Sequence, residues 1–200
     1  MENILPILLG TILINNLALT KLVGLGQLAH FGEEEGEILC IGVSAALVMA
    51  ISSILGYFAG TLFELGVLNL LVYVLLILVS TALVMSGVKK VKPEMYERVK
   101  KILPLLSANS AILYLLLMTG AEGMEFLLQG TVANDAQEIL PVLVTAVGAP
   151  LGLLFAFILY GAVRERLSVA HTPKAFKGLP ILLVYTALAV LALSGLNGIL

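Results

Sequence analysis

Chemistry in this chain would have to come from a few polar side chains set in long apolar runs. Asn15, Asn16 and Thr20 interrupt the first run, and Ser107, Asn109 and Ser110 interrupt another in the second half. Amide and hydroxyl oxygens at such breaks suit a site for an ion or a polar cofactor, built where helices are discontinuous. The same residue types also serve as interhelical hydrogen-bond glue, at about 0.6 kcal/mol per contact on average. The residues alone leave both readings open. Cys40 is the one cysteine, so the chain forms no intrachain disulfide and no centre needing several of its own thiolates. It reads as a small packing residue. His171 has no Cys, Asp or second His at ligand spacing, and no metal is expected there. No glycine-rich phosphate loop, nucleophile elbow or paired-carboxylate pattern stands between suitable flanking elements, so no covalent chemistry is expected of the chain by itself.

The elements that position these residues follow from composition. Of 200 residues, 60% are apolar and 12% charged, and the mean hydropathy is +1.09. A soluble domain carries about a quarter of its residues as charges, so lipid is the expected solvent. The net charge of −2 holds no clustered basic surplus of the kind that grips nucleic acid. Apolar runs extend over Ile4 to Leu22, Ile38 to Phe58, Val67 to Val88, Ile102 to Met118, Leu140 to Val163 and Leu179 to Leu193. Each is about long enough to cross ~30 Å of hydrocarbon as a helix. The N-terminus, Met1-Glu2-Asn3, is acidic and no small-residue cleavage site follows the first run, so that run is expected to remain as a span rather than act as a signal peptide.

Six spans put both termini on one side. All 11 basic residues then fall at the connectors after spans 1, 3 and 5: Lys21; Lys89, Lys90, Lys92, Arg98, Lys100 and Lys101; Arg164, Arg166, Lys174 and Lys177. By the positive-inside rule that face is cytoplasmic and the termini lie outside. Glu2, Glu64, Glu122, Glu125, Asp135 and Glu138 fall on or near the outer side and read as a solvated rim. Lys21 is placed to snorkel to the headgroups. Glu33, Glu34, Glu35 and Glu37 suit the N-terminus of span 2. Gly148 and Gly152 form a G-x-x-x-G with Pro150 between them, suggesting close helix contact and a kink. The basic stretch from Lys89 to Lys101 suits anionic headgroups or a protein partner.

Three spans per half is an odd number, so a duplicated unit would be inverted relative to its twin. Each half opens on a span broken by asparagine: Asn15-Asn16 in span 1 and Asn109 in span 4. The fold expected is therefore an all-α integral membrane domain of six helices, arranged as two inverted three-helix repeats over about 1–95 and 96–200. Asn15, Asn16, Thr20 and Asn109 form its candidate intramembrane polar site.

Three segments together give a resemblance that covers nearly the whole chain. They are Gly10 to Gly26 with its double asparagine, Ile102 to Ala111 with Pro104 and Asn109, and the loop Arg164-Glu165-Arg166-Leu167 followed by Thr172-Pro173 and Phe176-Lys177-Gly178. This pattern resembles the A-type membrane subunit of Rnf-type electron-transport complexes and its counterpart, the E-type subunit of the sodium-translocating NADH:quinone oxidoreductase. The resemblance implies a multi-pass subunit of the inner (cytoplasmic) membrane, in a complex that couples electron transfer to sodium or proton translocation. It implies as partners a homologous sister subunit of opposite topology and further redox subunits. It also implies an intramembrane [2Fe–2S] cluster to which each sister gives two cysteines. Here Gly26 and Ser110 stand at those two positions. Neither is a competent ligand, so no cofactor is expected from this chain. Two other expectations come from the residues: a stand-alone ion or small-solute carrier built on the interrupted spans, and a purely structural subunit.

Overall fold

The computed structural model of the chain describes residues 8–14, 16–20, 23–24, 35–62, 68–118, 139–170 and 173–195. These form a π-helical segment, Gly10–Ile14, and helices α1 (Glu35–Leu62), α2 (Leu68–Val91), α3 (Pro93–Val99), α4 (Ser110–Met118), α5 (Ile139–Val169) and α6 (Leu179–Ser194). Short 3-10 turns, Leu103–Ala108 and Lys174–Phe176, precede α4 and α6. No strand occurs among the described residues. Backbone polar groups that must close on themselves in hydrocarbon leave helices as the natural solution.

Three stretches, Glu37–Gly60, Leu68–Val91 and Leu143–Leu167, are long and apolar enough to cross a bilayer. At 1.5 Å per residue the shortest of them extends ~36 Å, against ~30 Å of hydrocarbon. Leu103–Met118 and Pro180–Leu193 are shorter apolar helices. Prolines open α3, the first 3-10 turn and α6, where a missing N–H costs no hydrogen bond. Lys89 and Lys90 close the last turn of α2, opposite in sign to its dipole end.

The most extensive contact in the molecule is between α1 and α5. It is close because glycine sits on both sides: Gly42 faces Phe157 and Leu154, and Gly161 faces Ile38. Lipid tails give helices no hydrophobic reason to associate, so small residues that let backbones approach carry much of the packing. Helix α2 lies along α1 through Tyr73, Ile77, Ser80, Thr81 and Val84, one stripe at three- and four-residue spacing. Its opposite face exposes Leu71, Val74, Leu75, Leu78, Val79 and Leu83. An outward face as apolar as the inward one is what a lipid-facing helix presents. Hydroxyls within these helices donate to carbonyls one turn back: Ser44 to Cys40 (2.7 Å), Ser53 to Met49 (2.6 Å), Ser80 to Leu76 (2.8 Å) and Thr81 to Ile77 (2.8 Å).

The outer helix α6 is tied to α5 by a polar contact. The Thr186 hydroxyl donates to Leu182 O at 2.7 Å, leaving its oxygen to accept from the Tyr160 hydroxyl. The Tyr160 and Tyr185 rings meet edge to face at 5.5 Å. On the basic connector, α3 turns Met95 and Tyr96 toward the core, with Lys89 Nζ 6.0 Å above the Tyr96 ring. Lys100 pairs with Glu97 there, and the hydrogen bond to that carboxylate raises the ammonium pKa.

Candidate functional site: where two interrupted spans meet

Both asparagine breaks are discontinuities of the backbone. In the second half the 3-10 turn Leu103–Ala108 ends at Asn109, whose φ of −73° and ψ of 115° are extended, and α4 begins at Ser110. Asn109 Oδ1 accepts from Ala111 N at 2.9 Å, and its carbonyl accepts from Ile112 N at 3.2 Å. Asn109 is thus the N-cap of α4, a role that suits asparagine because its side chain reaches an otherwise unpaired N–H. In the first half the π-helical segment gives way to a turn at Asn16, whose Oδ1 accepts from Ala18 N (3.0 Å) and Leu19 N (3.1 Å). Thr20 closes that turn, its N–H and its hydroxyl both donating to Asn16 O at 2.8 and 2.6 Å. The same device therefore stands at both breaks: an asparagine oxygen on the backbone N–H two residues ahead.

The amide nitrogen of Asn16 completes its inventory. Nδ2 donates to Ile12 O within the π-helical segment and to Gly152 O on α5, both at 2.8 Å. An asparagine side chain offers two donor hydrogens and two acceptor lone pairs, and here all four are engaged. Asn16 is fully buried. Its reach to α5 depends on small residues there: a methyl group at Gly152 would lie 3.1 Å from Thr11 O and 3.2 Å from Asn16 Nδ2, and one at Gly148 would collide with the Thr11 hydroxyl. The segment around Thr11 and Asn16 is seated on these two glycines. Helix α4 leans on α1, where Gly56 meets Leu116.

The two breaks also touch each other. Gly24 N donates to Ser110 Oγ at 3.0 Å. Gly24 has a φ of +84°, and a Cβ there would lie 2.7 Å from both Asn109 Oδ1 and Ala111 Cβ. Glycine is required twice over, for the left-handed backbone and for the space. Of the residues expected to form the polar site, Asn16 and Thr20 share one turn, while Asn109 and Ser110 meet the first half through Gly24. Asn15 and Gly26 lie outside the described residues, as do Lys21, Glu33, Glu34 and His171. Ser107 bonds locally, its hydroxyl donating to Pro104 O at 2.7 Å. Helix α5 runs through Pro150.

Thr145 is a residue that reading the sequence overlooked. It is fully buried on α5, and its hydroxyl has no hydrogen-bond partner among the described residues. It lies three and seven residues before Gly148 and Gly152, on the helix face that receives the segment around Thr11. That spacing from the G-x-x-x-G pair was the available signal. The packing role of Gly24 carried no such signal.

The [2Fe–2S] cluster implied by the resemblance can be tested against the donors present. Such clusters take thiolates, or histidine in one variant. The Ser110 oxygen is occupied by the Gly24 N–H, and the pocket beside Gly24 is filled by Asn109 and Ala111. Gly26 brings no side-chain donor. Cys40 sits on α1, packed against the hydrophobic core. These residues do not fit the cluster.

The chain is similar to known proteins along nearly its whole length. The family described as Rnf-Nqr subunit, membrane protein, matches residues 4–200. The chain is 30% identical to the A-type subunit of the ion-translocating oxidoreductase complex of Syntrophotalea carbinolica, over 100% of this chain and 98% of the relative. It is 28% identical to the protein of the same name from Azoarcus sp., with the same two coverages. Against the A-type subunit of the Na(+)-translocating ferredoxin:NAD(+) oxidoreductase complex of Acetobacterium woodii it is 27% identical, covering 96% of this chain and 95% of the relative. With a match that takes in almost every residue and three long apolar helices, the chain belongs to the Rnf-Nqr family of multi-pass membrane subunits.

Proposed function

We propose that this chain is the A-type membrane subunit of a complex that couples electron transfer to translocation of sodium or protons. The observation that carries the reading is the pair of interrupted spans, each capped by an asparagine oxygen and joined through Gly24 and Ser110. Discontinuous helices that meet at a junction are the form in which transport proteins expose backbone dipoles inside a bilayer without orphaning them. Relatives named for ion-translocating oxidoreductase complexes over their full length support the same reading. Asn16 acts within this site as a positioning residue, since its hydrogen-bonding capacity is filled by protein groups.

The finer architecture proposed is six spans in two inverted triplets, about 1–95 and 96–200, with both termini outside and the basic connectors in the cytoplasm of an inner membrane. The recurrence of one capping geometry in both halves favours it. So does the crossed seating, in which span 1 rests on α5 and span 4 on α1. The partners proposed are a homologous sister subunit of opposite topology and the redox subunits of the complex. Reconstitution into liposomes tests the function. Ion uptake is expected only with the assembled complex and an electron donor, and liposomes holding this chain alone should show no flux above the protein-free rate. Donor-independent flux through the chain alone would instead identify a self-sufficient carrier.

A further inference from the structure

We propose that the junction of the two interrupted spans is a hydrogen-bonded clasp that occupies the place of the family's iron–sulfur cluster and ties the halves without metal. This rests on the family reading for the position of the cluster, and on this structure alone for what fills it. A cluster ligand here would need a thiolate on each broken span. The first break brings Gly24, which has no side chain, the family's cysteine position two residues on is a glycine in sequence, and the second break brings a hydroxyl. That hydroxyl accepts the Gly24 N–H at 3.0 Å, the one hydrogen bond described between the two breaks. For serine to ligate iron it would have to lose its proton and bind as an alkoxide, a poor substitute for thiolate.

The surrounding groups reinforce closure. Asn109 Oδ1 and Ala111 Cβ stand where any side chain on Gly24 would go. Asn109 Oδ1 is itself held by the Ala111 N–H at 2.9 Å, and Gly24 is buried. Each break thus supplies what the other lacks: the first a bare backbone N–H in a left-handed turn, the second a hydroxyl and a capped helix start. The clasp is redox-inert, and the residues described at the junction offer no thiolate or imidazole to an electron-carrying centre.

The test uses the full chain purified natively, with whatever subunits accompany it, carrying Ser110→Ala, Ser110→Thr or no change. Iron, acid-labile sulfide and amide hydrogen exchange are measured on each. For Ser110→Ala, metal content should equal that of the unchanged protein, while the peptide containing Gly24 exchanges on the order of fivefold faster as its hydrogen bond is lost. Ser110→Thr keeps the acceptor and should restore slow exchange. Loss of roughly two irons and two sulfides on Ser110→Ala would show a ligand and overturn the proposal. Unchanged exchange in Ser110→Ala would overturn it too, because the clasp would then not exist. Should Ser110→Ala fail to fold, Ser110→Gly, which also removes the oxygen, takes its place, with unchanged metal and faster Gly24 exchange expected and loss of iron and sulfide or unchanged exchange overturning the proposal. If the chain purifies without partners, the functional reading fails, but the exchange comparison still tests the clasp.

Discussion

Asn16 holds more of the structure together than any other single polar side chain described. Its four hydrogen bonds join the end of the π-helical segment, the turn that follows and the middle of α5. Asn16→Ala should lower stability by about 2 kcal/mol, because two buried N–H groups and two carbonyls lose a partner. Thermal unfolding of the detergent-solubilised protein measures it, and an unchanged midpoint would argue against the arrangement. Thr145 predicts the opposite sign. Its buried hydroxyl has no partner among the described residues, so Thr145→Val removes an unsatisfied group at nearly constant shape and should raise stability by up to about 1 kcal/mol. A clear loss of stability in that variant would mean that the hydroxyl has a partner in the membrane. Asparagine at both breaks was visible in the sequence because polar residues stand out against leucine. Which groups they bind was not, since Asn16 and Gly152 are 136 positions apart and Gly24 and Ser110 are 86 apart. No local periodicity reports such pairs.

At the scale of elements, the expected interruptions are present: a π-helical segment and turn around Asn16, and a 3-10 turn ending at an extended Asn109. The apolar runs gave the positions of α1, α2, α5 and α6 well, because an uninterrupted run of that length has few alternatives to a helix in lipid. Less legible was the choice of neighbours. The G-x-x-x-G of α5 announced close contact but not its occupant, which is the backbone around Thr11 and Ile12. Gly152→Ala follows from that contact. Its methyl would press on Thr11 O and Asn16 Nδ2, at a cost of about 1–3 kcal/mol for overpacking against a backbone that cannot rotate away. Unfolding midpoints should therefore rank Gly152→Ala well below the same change at Gly87, where a Cβ meets nothing within 4 Å. Equal midpoints would show that the first span does not rest on α5 this closely.

For the whole molecule, the proposed orientation rests on the segregation of basic residues and the proposed symmetry on the asparagine breaks. Single cysteines in a Cys40→Ser background, placed at Lys90 and Lys177, should label from the cytoplasmic side alone, and one at Glu64 from the outer side alone. Labelling of the Lys90 and Lys177 positions from opposite sides would break the two-triplet topology. Sequence alone supplied the all-helical membrane class and the family resemblance, and the family assignment over residues 4–200 bears out that resemblance. What the molecule assembles with is the central claim, and native purification of the tagged chain from its own membranes, followed by mass spectrometry of everything retained, tests it most directly. The account predicts a homologous membrane partner together with redox subunits, in fixed proportion to this chain. Recovery of the chain alone, intact and monodisperse, would contradict it.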